Sequence, residues 1–284
     1  MSASRLAARR RDYARAMVGV LGAPDPALEH AFATVPREAL MPPGRWTILR
    51  VPGEAETLDV NDPMALYPLD TLPEVLVVLD AARGINNGSP ALHARMLHAL
   101  AVRPGDRVLH LGAGTGYYTA MLAELVGPTG HVEAVEYFPH LADQARHNLA
   151  PWPWVRVAQG DAADFPASDV DRIYVNFAVA DPPRHWFDRL RPGGTAVLPL
   201  GTGYGAVLRV ERTARGFAAR FLMSCGFIGA EGALAGDAAH RARLDAAFAH
   251  GTQATVHSLH LAPDVPDQPW FRSKTWALSP AAPG

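Results

Sequence analysis

The chain has 284 residues, of which 49% are hydrophobic, so it can bury one large core with appended segments and is not a generally disordered protein. Its formal net charge of −2 gives no general attraction to nucleic acid, and no stretch approaches the roughly 18 uncharged apolar residues of a membrane span. A single cysteine, Cys225, excludes an intrachain disulfide and a multi-thiolate zinc site. We therefore expect a soluble cytoplasmic protein with no metal and no nucleic-acid partner, and the oligomeric state stays open.

The first 21 residues predict an amphipathic helix that covers the core. The stretch is arginine-rich and poor in acids, as in some transit peptides, but it lacks the apolar run of a secretory signal. Its apolar face would be formed by Leu6, Tyr13, Met17 and Val20. Helical patches and proline-rich turns follow, and we expect residues 1–70 to form an N-terminal cap segment.

From about residue 90 the pattern changes to helices that alternate with short apolar strands. The predicted helices are 91–100, 117–126, 138–150 and 183–190, and the predicted strands are 106–113, 131–136, 154–159, 171–178 and 194–200. Strands separated by helices of this length need crossover connections, which build a parallel sheet with helices on both faces. The predicted fold class is therefore doubly wound α/β, with a mostly parallel sheet.

The C-terminal third is expected to be antiparallel. Two strand-like runs, 205–213 and 216–228, are separated by the turn Ala-Arg-Gly, which predicts a hairpin at the edge of the sheet. A helix-like run at 237–251 and a strand-like run at 254–262 follow. We accordingly divide the chain after the cap into a core, 71–230, and a C-terminal extension, 231–284.

A glycine-rich turn, "VLHLGAGTGYYTA" at 108–120, follows the first strand of the core. Gly112, Gly114 and Gly116 would carry the chain through a tight loop into the next helix. Glycine permits positive φ and lets the backbone lie against a ligand. A glycine loop alone is a weak signal, because nucleotide-binding turns and purely structural turns both use it.

Two acidic residues give the loop its context. Glu136 ends the second strand, where a carboxylate can accept hydrogen bonds from both ribose hydroxyls, and Asp161 follows the third strand at the same edge, where it suits an adenine amino group. Each could instead be a solvated strand-end carboxylate or a helix cap. Glycine loop, acid and acid in this order nevertheless indicate an adenosine site.

The spacing G-A-G-T-G-Y differs from the G-x-G-x-x-G that seats a dinucleotide pyrophosphate. Together with the two acids and the later "RPGGTAVLP", it resembles the class I S-adenosylmethionine methyltransferases, which have a Rossmann-like fold. "VPREALMPP" at 35–43, "VLHLGAGTGYYTAMLAEL", "LRPGGTAVLPLG" and a proline before the helix at 90 are similar to the protein-L-isoaspartate O-methyltransferase family. The resemblance covers roughly residues 30–230.

The resemblance implies S-adenosylmethionine as cofactor and a carboxylate of a peptide, protein or natural-product intermediate as methyl acceptor. We assign the cofactor contacts to His110, Gly112, Ala113, Gly114, Gly116, Tyr117, Glu136, Asp161 and Ala162, and acceptor contacts to Asn176 and His93.

The stretch "RGINNGSP" at 83–90 departs from the family. Relatives carry Thr-Ile-Ser-Gln-Pro here, with the serine beside the transferred methyl group and the acceptor carboxylate. Aligning Pro90 with that proline puts Gly88 at the serine position. A shift of one residue would let Ser89 serve, with Asn86 and Asn87 as amide donors, and we take these three as the catalytic candidates. The alternative is that Asn-Gly is simply a turn.

Two further departures lie in the core. His110 stands where the family usually has an acid, so it either donates to the cofactor carboxylate or is a half-buried strand histidine. The run "MSCGFIGAEGA" replaces the usual V-x-F-V-P-L ending and alters the edge of the acceptor pocket.

The expected reaction needs alignment more than a base, because a carboxylate is ionised at neutral pH. A hydroxyl or amine acceptor would need a base, for which His93, His110 or His185 are candidates. Two alternatives stay open. One is a nucleobase or small-molecule N-methyltransferase, suggested by Asp-Pro-Pro at 181–183, and the other is a non-catalytic protein that binds the cofactor.

Overall fold

The computed structural model describes residues 3–51, 55–58, 62–69 and 74–283. In chain order its strands are β1 (Trp46–Val51), β2 (Ala55–Leu58), β3 (Glu74–Asp80), β4 (Ile85–Asn86), β5 (Arg107–Leu111), β6 (His131–Glu136), β7 (Val155–Gln159), β8 (Val170–Val175), β9 (Leu190–Gly201), β10 (Tyr204–Thr213), β11 (Gly216–Gly226), β12 (Ser258–Leu261), β13 (Phe271–Arg272) and β14 (Trp276–Ser279). Its α-helices are α1 (Ala3–Gly19), α2 (Pro26–Thr34), α3 (Pro90–Leu100), α4 (Tyr117–Val126), α5 (Pro139–Asn148), α6 (Arg184–Asp188) and α7 (Ala238–Ala249).

The chain divides into two compact units, Met1–Gly105 with Ala113–Ala158 and Asp106–Gly112 with Gln159–Gly284. These units differ from the predicted succession of cap, core and extension. The predicted boundary between residues 70 and 71 lies outside the described residues. The division by function therefore stays a prediction.

Helix α1 of the first unit is the amphipathic helix that the N-terminal pattern predicts. Tyr13 and Met17 are buried on its apolar face, together with Ala14 and Val18. Leu6 is half-buried within the helix, whereas Val20, which we placed on the same face, lies beyond the last helical residue. Among the described residues, no helix is long and apolar enough to cross a membrane.

A four-stranded sheet is ordered β2-β1-β3-β4, and its strands β1 and β2 lie in the segment 1–70, where we expected helical patches and proline-rich turns. Strand β1 pairs antiparallel with both β2 and β3, and Ile48 lies opposite Val77 with both side chains fully buried. The partners are far apart in the chain, so the local pattern of apolar residues and prolines did not reveal the sheet.

The second unit contains the parallel strands that the α/β pattern predicts. Strand β8 runs parallel to β5, with His110 opposite Tyr174, and parallel to β9, with Ile173 opposite Ala196. Helix α6 forms the crossover from β8 to β9. The sheet of this unit is ordered β13-β14-β12-β11-β10-β9-β8-β5.

The predicted hairpin of β10 and β11 forms, but its position at the sheet edge was wrong. Strand β12 pairs with β11 through Phe217–Leu259 and Ala218–Ser258, and β14 and β13 continue the sheet beyond it. Strand β12 lies within the strand-like run predicted at 254–262, whereas β13 and β14, with two and four residues, are too short for a clear alternating pattern.

The C-terminal extension is bound to the loop after β8 through Asp181. One carboxylate oxygen of Asp181 accepts hydrogen bonds from Ser273 Oγ at 2.6 Å and from Trp276 Nε1 at 2.8 Å. Trp276 is fully buried, so its indole N–H depends on this acceptor.

Replacing Asp181 with alanine is therefore expected to lower the free energy of unfolding by about 1–3 kcal/mol, because a buried donor loses its partner. Urea denaturation measures the change. Asp188→Ala is the matched control: Asp188 forms an exposed ion pair with Arg184, and its loss should cost less than about 0.5 kcal/mol. Equal losses in the two variants would contradict a structural role for Asp181.

Candidate functional site

The three glycines of the loop after β5 adopt backbone conformations that other residues rarely adopt. Their φ angles are +81° at Gly112, +56° at Gly114 and +99° at Gly116. A Cβ atom at Gly112 would lie 2.8 Å from Phe177 Cδ1, and one at Gly114 would lie 2.9 Å from Leu79 Cδ1. Glycine is thus required both by the turn and by side chains of the protein packed against it.

Two further predicted cofactor residues belong to this loop. The backbone N–H of Ala113 donates to the Val135 carbonyl at 3.1 Å, which ties the loop to β6. Tyr117 begins α4, but its ring is buried with Arg37 5.7 Å from the ring centroid. Any contact of Tyr117 with a ligand would therefore come from its backbone.

Glu136 lies at the end of β6 with its carboxylate buried and hydrogen-bonded at both oxygens. Oε2 accepts from the Gly114 N–H at 2.8 Å and Oε1 from the Phe138 N–H at 3.0 Å. Burial raises the pKa of Glu136, while these N–H donors oppose the shift. Since each oxygen can accept a second hydrogen bond, the carboxylate can bind two hydroxyl groups.

Asp161 and Ala162 belong to the second unit. Asp161 Oδ1 accepts from the Ala163 N–H at 2.9 Å and caps a short 3-10 turn, Ala162–Asp164. Ala162 is buried, and its carbonyl accepts from Trp186 Nε1 at 3.3 Å. Asp161 thus has the capping role that we considered, and this role fixes the orientation of its carboxylate.

The polar residues of the segment 84–89 have different partners. Asn87 is buried: its Oδ1 accepts from the Val77 N–H at 2.7 Å, and its Nδ2 contacts Met41 Sδ at 3.7 Å. Ser89 Oγ caps α3 by accepting from the Leu92 N–H at 3.1 Å, and it donates to Glu74 Oε2. Both side chains hold the local backbone.

Asn86 differs from these two residues. Its Oδ1 accepts from the Gly88 N–H at 2.9 Å, and the residue is half-buried. Among the described residues, Asn86 Nδ2 makes no hydrogen bond, so this amide group can donate to a ligand. The positive φ of the turn, +74°, is at Gly88.

His93 lies in the first turns of α3 and is almost completely buried. Its ring stacks on Tyr118 of α4, with centroids 3.7 Å apart and an interplanar angle of 16°. A Cβ atom at Gly88 would lie 2.9 Å from His93 Cδ2 and closer still to Nε2. His93 therefore packs directly against the glycine of the turn.

His110 and Asn176 form a hydrogen-bonded pair in the second unit, joined by 2.8 Å between His110 Nε2 and Asn176 Nδ2. His110 is fully buried rather than half-buried, and desolvation lowers its pKa to about 3. At neutral pH the imidazole is uncharged. Asn176 Oδ1 is buried and has no hydrogen-bond partner among the described residues, so it can accept from a ligand.

Four residues that the sequence did not single out hold these groups in place. Leu79 and Phe177 pack on the glycine loop, Glu74 binds Ser89 Oγ and the Ala91 N–H, and Asn148 Nδ2 donates to the Thr115 carbonyl at 2.8 Å. Each is distant in sequence from the group it supports. No local motif could have identified them.

A family model described as "Protein-L-isoaspartate(D-aspartate) O-methyltransferase (PCMT)" matches residues 73–234. Protein-L-isoaspartate O-methyltransferase of Ignicoccus hospitalis is 34% identical over 156 residues, which are 53% of this chain and 74% of that protein. The protein of the same name from Methanopyrus kandleri is 40% identical over 144 residues, 49% of this chain and 64% of that protein. The matched region contains the glycine loop and both acids, but not the motif at 35–43.

Two solved structures are similar to the model. One, a protein-L-isoaspartate O-methyltransferase, has a TM-score of 0.64 at 19% identity and covers 96% of this chain and 88% of its own. The other, a putative protein-L-isoaspartate O-methyltransferase from Plasmodium falciparum in complex with S-adenosyl-L-homocysteine, has a TM-score of 0.57 at 16% identity and covers 76% of this chain and 97% of its own. At these identities the likeness shows the fold, and it confirms the predicted doubly wound α/β class.

The buried state of His110 predicts a pH dependence. In the unfolded chain a histidine has a pKa near 6.5, whereas His110 in the folded chain has a pKa of about 3. Between these values the unfolded state binds the additional proton, so this group lowers stability as pH falls from 6.5 toward 3, by up to about 1.4 kcal/mol per pH unit.

An NMR titration of the His110 ring resonances checks the prediction. They should not shift between pH 8 and pH 5 in the folded protein, and should titrate normally in the urea-denatured chain. A His110 titration near pH 6.5 in the folded state would contradict the buried neutral imidazole.

Proposed function

The chain belongs to the protein-L-isoaspartate O-methyltransferase family, whose members are S-adenosylmethionine-dependent carboxyl methyltransferases, and we propose that it methylates a carboxylate of a peptide or protein. One observation supports this most directly. The buried Glu136 carboxylate is bound to the Gly114 N–H, within the region that matches the family model.

The cofactor is S-adenosylmethionine, which supplies an electrophilic methyl group on a sulfonium. The site fits this cofactor, because each carboxylate oxygen of Glu136 can still accept a hydrogen bond from one of the two ribose hydroxyls. We assign the adenine end to Asp161 and Ala162, and the amino acid end to the loop from Gly112 to Gly116. We propose that His110 lies beside the cofactor as an uncharged imidazole. With a pKa of about 3 it is not protonated at neutral pH and cannot bind the cofactor carboxylate as a cation.

The acceptor that suits this chain is already ionised. A peptide carboxylate has a pKa near 4 and attacks without loss of a proton. The neutral, buried His110 and the Asn176 amide offer polar groups but no strong base at neutral pH. The contribution of the protein is then alignment of the reacting atoms and exclusion of water.

Among the three catalytic candidates, Asn86 is the one that we propose to bind the acceptor. Its Oδ1 is held by the Gly88 N–H, which orients the amide, and Nδ2 is left to donate to a carboxylate. Asn87 and Ser89 are proposed to act indirectly, because their side chains bind the Val77 N–H and the start of α3. Asn176 and His93 are proposed to line the acceptor side.

The two alternatives gain no support. In the N-methyltransferase hypothesis Asp181 would bind amine hydrogens, but its carboxylate is engaged by Ser273 and Trp276. A non-catalytic protein that binds the cofactor would need the same glycine turn and Glu136, so methyl transfer in the peptide assay, and not these residues, distinguishes it from an enzyme. For the organisation of the chain, we propose residues 71–230 as the methyltransferase core, which the match at 73–234 supports.

The cofactor assignment predicts that Gly114→Val and Glu136→Ala each weaken S-adenosylmethionine binding at least about a hundredfold. Valine is incompatible with φ of +56° and would collide with Leu79, while alanine removes two charged hydrogen bonds worth about 1.5–3 kcal/mol each. Calorimetric titration measures the affinity. Glu133→Ala, on the same strand β6, is the control and should bind normally. Wild-type affinity in both variants would refute the assignment.

The acceptor assignment predicts that Asn86→Asp lowers methyl transfer roughly ten- to a hundredfold with cofactor affinity unchanged, because a charged-group hydrogen bond is worth about 1.5–3 kcal/mol. Aspartate keeps the acceptor for the Gly88 N–H and removes the donor. Ser89→Ala should instead cost about 1 kcal/mol of stability through loss of the helix cap.

The assay uses a panel of aspartyl and isoaspartyl peptides and measures base-labile methanol, which a carboxyl methyl ester releases and an N-methyl group does not. Because the family serine is absent, transfer to a simple isoaspartyl peptide should be poor compared with a serine-containing relative. Turnover equal to that relative, or unaltered turnover in Asn86→Asp, would contradict the assignment of the loop.

A further inference from the structure

Position 88 cannot carry a side chain while His93 is in place. Its Cβ would lie 2.9 Å from His93 Cδ2 and closer still to Nε2, which is inside van der Waals contact. Gly88 also has φ of +74°, where L residues are strained. The imidazole therefore fills the volume into which a side chain at position 88 would project.

The histidine ring has little freedom to move away. It is 1% exposed and lies flat on Tyr118, which is itself 3% exposed. The backbone of His93 is fixed in α3, where its N–H donates to the Ser89 carbonyl at 3.0 Å. A larger residue 88 would have to displace a packed aromatic pair, and not merely the end of a flexible chain.

The backbone of the turn cannot easily yield either. The Gly88 N–H is bound by Asn86 Oδ1, and Asn87 exchanges hydrogen bonds with Val77 through its backbone N–H and its side-chain Oδ1. The turn and the ring are thus fixed against each other. The absence of a side chain at position 88 and the presence of histidine at position 93 form one structural arrangement.

We propose that His93 is a specificity-determining residue, which excludes a hydroxyl side chain at position 88 and thereby restricts the site to peptide carboxylates that the Asn86 amide can hold. The inference rests on the proposed function and on the resemblance to the isoaspartyl methyltransferases, which puts Gly88 at the family's serine position when Pro90 is aligned with the family's proline. A serine can return to this position only if the imidazole is removed. Gly88→Ser and His93→Ala should consequently act together and not independently.

The experiment compares Gly88→Ser, His93→Ala, the double variant and the wild type in methyl transfer to an isoaspartyl peptide, with base-labile methanol as the readout. The double variant is expected to transfer at least about ten times faster than the wild type, whereas neither single variant gains. The double variant Gly88→Ala/His93→Ala has the same backbone strain and the same freed volume as Gly88→Ser/His93→Ala but lacks the hydroxyl, so its methyl transfer should not increase. Arg95→Ala, an exposed change on α3, controls for effects on the helix.

A second measurement, the urea midpoint of unfolding, tests the collision directly even where a variant is less stable. Gly88→Ala should lower the urea midpoint of the wild type, and should lower that of His93→Ala by less than half as much, because the collision is removed. Equal shifts in the two backgrounds, or equal transfer by the serine and alanine double variants, would overturn the proposal. Calorimetry of the wild type distinguishes the two possible failures. If the wild type does not bind S-adenosylmethionine, the proposed function itself is refuted. If it binds normally but Gly88→Ser/His93→Ala gains no methyl transfer, only the role of His93 is refuted.

Discussion

The buried carboxylate of Glu136 is the interaction on which the cofactor side of the structure depends. It accepts the N–H groups of Gly114 and Phe138, so one side chain fixes both the glycine turn and the entry to α5. A buried carboxylate without partners would be costly, and these two donors oppose the rise in its pKa. The group that we expect to recognise ribose therefore also shapes the loop beside it, which makes the site rigid before any ligand binds.

Much of the fold could be predicted because its signals are local. Helix α4 spans the predicted residues 117–126, and β6 spans 131–136, since both follow from apolar periodicity and the glycines between them. The four-stranded sheet near the N-terminus could not be predicted, because its pairing joins Ile48 to Val77 across proline-rich sequence. The strands β13 and β14 could not be predicted either, because they are short and take their structure from pairing with their neighbours.

The candidate site shows the same division. The placement of Gly112 and Gly114 in a turn and of Glu136 at a strand end could be predicted from spacing alone, whereas their contacts with the cofactor stay a prediction. The roles of Asn87 and Ser89 could not, since their partners are residues such as Val77 and Glu74, whose positions only the folded chain defines. Within that loop Asn86 accepts the Gly88 N–H of the turn, and Asn87 supports the turn by binding Val77.

The chemistry explains why so many polar side chains in this region hold backbone. Transfer to an ionised carboxylate gains from alignment, and alignment requires a loop that does not move. Asn87 and Ser89 are accordingly used to fix the segment, and His93 packs against its glycine. In the function that we propose, the reacting carboxylate is bound by a single oriented donor, the Asn86 amide. A site organised in this way can change its acceptor by exchanging one fixed contact for another, without any change in the residues that hold the cofactor.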